Sequence, residues 1–175
     1  MGKVLCPQCG CCFKAEFVAE NVKETAVVQT DGVNKKENKH LIEWKESFSV
    51  GINELDEQHK KLMGIVNELY LTMNSSQRDP SFIKNLISSL SCYAKEHFVL
   101  EEKLMNESGF PGLEKHSLEH RYFIKMIQEL VEDYKKSVVS LRNVHGFLNN
   151  WFLKHIIEKD KEFAYHYAKV NKNAA

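Results

Sequence analysis

The chain has 175 residues, 43% of them hydrophobic, and its 24 Lys+Arg balance 24 Asp+Glu to give no formal net charge. That length and apolar content suit one ordinary core, and no basic stripe interleaved with aromatics marks a nucleic-acid-binding protein. No long apolar run suggests a membrane span, residues 1–7 lack a signal-peptide core, and Cys6 stands where a myristoylation motif wants Ser or Thr, so a cytoplasmic protein is expected.

In chain order, residues 1–40 read as a small, irregular Cys-rich segment followed by a linker. Four of the five cysteines fall between Cys6 and Cys12, with Cys92 alone in the rest of the chain. This is not the spread framework of a disulfide-stapled secreted domain, and it fits a reducing compartment. Cys6-Pro-Gln-Cys9-Gly10 resembles a zinc-ribbon knuckle, in which two thiolates three apart clasp a Zn2+ ion and the glycine permits the tight turn. A complete ribbon needs a second such pair downstream, and none follows; a redox-reactive thiol cluster, a vestigial segment or a docking point for a protein partner are the alternatives. Glu16–Val18 is a possible short strand, and the polar stretch Thr30–Lys39 is the linker.

Residues 41–170 carry four blocks with apolar residues at helical spacing, separated by short breakers, which predicts an all-α, antiparallel up-down-up-down bundle. In the first block Leu55, His59, Leu62, Met63, Val66, Leu69, Tyr70 and Met73 share a stripe, with Asn53 as the expected N-cap. The second runs from about Ser81 to Glu107 with Phe82, Leu86, Leu90, Tyr93, His97 and Leu104 on one face, and Gly109-Phe-Pro-Gly112 ends it. Leu113, His116, His120, Ile124, Ile127, Val131 and Tyr134 mark the third block. Leu141, Val144, Leu148, Trp151, Phe152, His155, Ile156 and Phe163 mark the fourth, and residues 171–175 are expected to be a disordered tail.

The polar exceptions within these stripes carry the functional signal. Each block contributes at least one histidine, and two add a carboxylate: His97 with Glu101 and His155 with Asp160. His97 and Glu101 are four apart, as are His116 and His120, so each pair projects from one helix face. His155 and Asp160 are five apart, about 140° off on an ideal helix, so this pair requires a long reach or a π-like widening of the turn. Taken singly, each histidine is ordinary core. Jointly, five imidazoles and two carboxylates over four helices form a mixed nitrogen and oxygen donor set that suits iron better than structural zinc, calcium or magnesium. His40, His145 and His166 have no partner at ligand spacing, Glu102 faces about 100° away from Glu101, and Asp56 sits in a first helical turn where it serves the macrodipole.

The stretch Trp44-Lys-Glu-Ser-Phe-Ser-Val-Gly-Ile52, with Leu55-Asp-Glu-Gln-His59, His97-Phe-Val-Leu-Glu101, His116-Ser-Leu-Glu-His120, Trp151-Phe-Leu-Lys-His155 and Asp160, resembles the bacteriohemerythrins and hemerythrin-like domains over roughly residues 41–170. The resemblance implies a four-helix bundle, of which myohemerythrin is a standing example. It also implies two iron ions: His116, His120 and His155 on one, His59 and His97 on the other, Glu101 and Asp160 bridging. The ion with fewer protein ligands would keep an open position for reversible dioxygen binding. Trp151, Phe152 and Ile156 are candidates to line a dry oxygen pocket, and Phe152 stands where the family commonly has a leucine. An oxygen or iron sensor, or a di-iron redox enzyme acting on peroxide or nitric oxide, is the alternative function.

Overall fold

In the computed structural model, residues 4–5, 12–13, 41–75, 79–136 and 140–173 are described. The chain divides into one unit of residues 1–41 and another of residues 42–175. In the first, β1 (Val4–Leu5) pairs antiparallel with β2 (Cys12–Phe13) in the register Val4↔Phe13, Leu5↔Cys12. The Cys-rich segment therefore contains a short two-stranded ladder that its sequence does not announce. Cys6, Cys9, the expected strand at Glu16–Val18 and the linker lie outside the described residues.

The second unit is helical. Its helices are α1 (Asn53–Asn74), α2 (Pro80–Glu107), α3 (Leu113–Lys135), α4 (Leu141–His155) and α5 (Lys161–Asn173), with a π-helical turn over Ile156–Asp160 joining α4 to α5 in one continuous rod. Because α5 runs to Asn173, the expected tail is helical over residues 171–173. α1 packs on α2 and α4, and α3 on α2 and α4, so sequence neighbours close a ring around one core. Short connections between long helices leave only this antiparallel order.

Local chemistry explains the boundaries. Asn53 is the first residue of α1 rather than its cap: the cap is Ile52, which makes no side-chain cap bond. The first-turn carboxylate anchors the preceding loop instead. Asp56 is buried and accepts hydrogen bonds from Ser49 Oγ at 2.6 Å and from the Val50 amide at 2.8 Å, tying the entering loop to the helix, which is more than a macrodipole contact. Asn67 holds the same loop by pairing both backbone groups of Ile42, at 2.8 and 2.9 Å. α2 starts conventionally, with Asp79 accepting from the Ser81 amide and Pro80 in the first turn. Ser140 and Asn143 form a reciprocal capping box at the start of α4.

The α2–α3 connection depends on two glycines for different reasons. Gly109 has φ of 64°, where a β-carbon is costly. At Gly112 an added Cβ would stand 2.7 Å from the Phe110 ring. That ring is buried against Phe163 and His166, at centroid distances of 5.5 and 5.4 Å, and so plugs this end of the core. The buried face of α2 runs through Ile83, Leu86, Ile87, Leu90, Ala94, His97, Phe98, Glu101 and Met105. Phe82, Tyr93 and Leu104 only flank it, a rotation of the expected stripe by about one residue.

Candidate metal centre

All seven residues singled out from the sequence converge within the core of the bundle. His59 comes from α1, His97 and Glu101 from α2, His116 and His120 from α3, His155 from the end of α4, and Asp160 from the end of the π turn; every one is buried. The π turn resolves the irregular spacing. Its hydrogen-bonded rings close five residues apart instead of four, so Asp160 falls on the same face as His155.

Their donor atoms form two sets that share one carboxylate. Glu101, His116, His120, His155 and Asp160 make the first, and His59, His97 and Asp160 the second, each with its donor atoms within 4.8 Å of one another. His155 Nε2 lies 3.0 Å from both His120 Nε2 and His116 Nε2. Asp160 spans the sets, with Oδ2 at 3.2 Å from His59 Nε2 and Oδ1 at 3.3 and 3.2 Å from His116 and His155. Glu101 Oε2 lies 3.6 and 3.3 Å from His116 and His120 of its own set and 3.7 Å from His97 of the other.

Three observations test whether these residues fit a metal. Both oxygens of Glu101 and of Asp160, and both ring nitrogens of His59, are buried without a hydrogen-bond partner among the described residues. Orphaned polar atoms in a core cost about 1–3 kcal/mol each, so such a group needs another partner. Next, the nitrogens are separated as ligands are: donors about 2.1 Å from a common centre and at right angles to each other stand about 3.0 Å apart. Finally, the set is mixed imidazole and carboxylate, which suits iron. The residues fit.

The electrostatics of the metal-free cluster run the same way. Burial and the charge of Asp160 push the Glu101 carboxyl up, but the close approach of the His116 and His120 imidazoles and the charge of His97 outweigh them and bring it down to about 2. Burial also opposes ionisation of Asp160, yet His155, His116 and His59 hold it well below the usual carboxylate range. Burial and the neighbouring His59 take His97 down to about 3, and burial takes His155 down to about 4. For His116 burial works downward too, but Asp160 and Glu101 win and raise it to about 9. Two ionised carboxylates and the neutral imidazoles of His97 and His155 are in the forms that bind a cation, whereas His116 gives up its proton when a cation binds.

Around the donors stands a set of braces that the sequence reading passes over. His97 Nδ1 donates to Gln58 Oε1 at 2.9 Å and His120 Nδ1 donates to Glu102 Oε1 at 2.8 Å; His155 Nδ1 has Glu119 Oε2 at 3.4 Å, with Lys159 Nζ 3.3 Å from that carboxylate's other oxygen. Glu102 is therefore no bystander, although it points away from Glu101. The legible signal is adjacency: each brace is next in sequence to a donor of its own helix and reaches the histidine of the following helix. Trp151 stacks on His155, centroids 4.2 Å apart at 14°, and Phe98 on His120 at 3.8 Å and 10°, fixing both rings. Phe152 stands edge-on to His59 at 6.0 Å, and Phe152 and Ile156 are buried while Trp151 is only partly so. His166 Nε2 bonds the Ser108 carbonyl at 2.9 Å, and His145 is buried beside Tyr70 with its ring centroid 5.1 Å away, so neither joins the cluster; His40 lies outside the described residues.

Comparison with known proteins agrees with this geometry. Residues 50–166 match the Hemerythrin HHE cation binding domain. A bacteriohemerythrin of Clostridium acetobutylicum is 32% identical over 127 residues, covering 69% of this chain and 96% of its own length. That of Stenotrophomonas maltophilia is 28% identical over 124 residues, covering 71% and 80%. The crystal structure of a wild-type hemerythrin superposes with a TM-score of 0.65 at 25% identity, covering 71% of this chain and 95% of that one. Among the described residues no helix is long and apolar enough to cross a membrane. The four-helix core and the match over two thirds of its length identify the chain as a member of the hemerythrin family, which binds non-haem iron.

Proposed function

We propose that the seven donors hold two iron ions and that the centre binds dioxygen reversibly, for carriage, storage or delivery. The observation that carries this reading is the division of the donors into two unequal sets sharing Asp160. In it His116, His120 and His155 would hold one ion and His59 and His97 the other, with the carboxylates of Asp160 and Glu101 shared between them. When bound, the iron pair supplies the electrons and the coordination position that dioxygen binding requires. The chain's part is to orient and to exclude. Stacking by Trp151 and Phe98 and bonds from the braces leave His155, His120 and His97 one orientation each. Phe152 and Ile156 line the oxygen pocket beside the ion with fewer donors, keeping water and reductants out, and Trp151 closes the side of the three-histidine ion.

The test is iron analysis joined to absorption spectra of the reduced protein before air, after air and after renewed deoxygenation. Two irons per chain and a visible charge-transfer band that appears and disappears with oxygen are expected. A protein without iron, or one oxidised irreversibly by the first exposure, overturns the reading. The proposal extends to a cytoplasmic location and, for the Cys-rich segment, to a Zn2+ ion at Cys6 and Cys9 and a protein partner. Unchanged zinc content in the Cys6→Ser, Cys9→Ser protein would remove the zinc.

A further inference from the structure

The braces around the two donor sets differ in charge. On the three-histidine side, the Nδ1–H of His120 meets the carboxylate of Glu102 at 2.8 Å; a second carboxylate, Glu119, stands 3.4 Å from His155 Nδ1 without hydrogen-bonding it, and Lys159 lies 3.3 Å from its other oxygen. On the two-histidine side, the Nδ1–H of His97 meets the neutral amide oxygen of Gln58 at 2.9 Å, and His59 Nδ1, although buried, has no acceptor among the described residues. Glu102 and Gln58 thus make the same contact at nearly the same distance, one with a full negative charge and one without. A carboxylate acceptor makes a charge-assisted bond about twice as strong as a neutral one and pushes electron density through the ring to the metal-facing nitrogen.

We propose that Glu102 and Gln58 are positioning residues that set unequal hold on the two ions: Glu102, helped by Glu119, makes the ion at His116, His120 and His155 the tightly retained one, and the neutral Gln58 leaves the ion at His59 and His97 readily exchangeable. This inference rests on the two-iron reading. The difference adds to the unequal donor count and is separable from it by substitution, because neither brace is itself a donor.

The experiment follows iron release from the full-length protein, loaded anaerobically with two equivalents of ferrous iron, into an excess of a chromogenic chelator. Two phases of one equivalent each are expected, and His97→Ala, which removes a donor from one ion only, identifies the fast phase by its loss. Glu102→Gln will accelerate the slow phase by about 10–100-fold and leave the fast phase in place. Gln58→Glu will slow the fast phase. Gln at 102 still offers an oxygen acceptor, so if Glu102 merely held the ring in place the slow phase would not move, and that result overturns the proposal. So does a Gln58→Glu fast phase at the wild-type rate, or an effect of Glu102→Gln on the fast phase alone. Metal-free melting temperatures of the variants, unchanged from wild type, separate these effects from damage to the fold. If the wild-type chain does not take up two equivalents, the two-iron reading falls and this inference with it; two equivalents with indifferent braces refute the inference alone.

Discussion

Removing one residue from the π turn tests the geometric account of the centre. On a regular helix, Asp160 is five residues from His155 and falls about 140° away, and Phe163 is eight residues on and about 80° away. Yet Asp160 is a member of both donor sets, and Phe163 is 0% exposed and buried in the core like Leu141, Leu148 and His155, which recur every seventh residue. The π turn absorbs the extra residue for both. Deleting Ile157, whose side chain is 47% exposed, shortens the two spacings to four and seven, which ordinary α geometry places within about 40° and 20° of His155. The deletion variant will therefore keep its iron and its stability to within about 1 kcal/mol. Inserting an alanine after Ile157 does the reverse: it adds a second extra residue beyond the one the π turn absorbs and rotates Asp160 and Phe163 about 100° out of line. Expelling Phe163 alone costs about 3–5 kcal/mol, or a fall of about 10–20 °C in melting temperature for a unit of this size. Calorimetry and iron per chain measure both. A deletion variant that loses iron, or melts as low as the insertion variant, would show that the widened turn itself is required and that alignment is not the reason for it.

Three further outcomes follow from the same structure. Phe152→Leu opens space beside His59, so stopped-flow oxygen release and autoxidation will both accelerate; identical rates would remove Phe152 from the oxygen path. Asp56→Ala strands the buried Val50 amide and will cost about 1–3 kcal/mol in urea unfolding while the iron content stays the same; loss of iron would mean the loop contact reaches the centre. The raised pKa of His116, about 9 because Asp160 and Glu101 outweigh burial, stabilises the metal-free fold fully below about pH 6.5 and is lost as pH rises through 9. A bound cation displaces that proton, so the gain in melting temperature on adding ferrous iron anaerobically will widen between pH 6.5 and 9, and a constant gain would contradict the assignment.

The donors were readable in the sequence because charged and imidazole groups in apolar stripes are costly without a common partner. The misaligned pair was readable too, since five residues cannot share a face without a widened turn. What escaped was information held between helices. Glu102 looks solvated when only its own helix is considered, because the His120 nitrogen it meets belongs to α3. The face of α2 is apolar over so wide an arc that Ile83 and Met105 compete equally with Phe82 and Leu104, and only packing against α1 and α3 decides. Phe110, buried beneath Gly112, reads as part of a breaker until Phe163 and His166 are known to lie beside it. Nothing in the periodicity of the Cys-rich segment announces the Leu5↔Cys12 pairing.

The sharing of Asp160 also bears on how the molecule matures. The α2–α3 hairpin alone brings four donors, His97, Glu101, His116 and His120, within 24 residues of chain, enough to gather a cation early and loosely. Neither donor set is complete, however, until the last helix docks, because Asp160, which belongs to both, arrives with it. A chain broken anywhere before residue 160 is impaired in both donor sets together, so on the two-iron proposal iron content distinguishes finished molecules from unfinished ones.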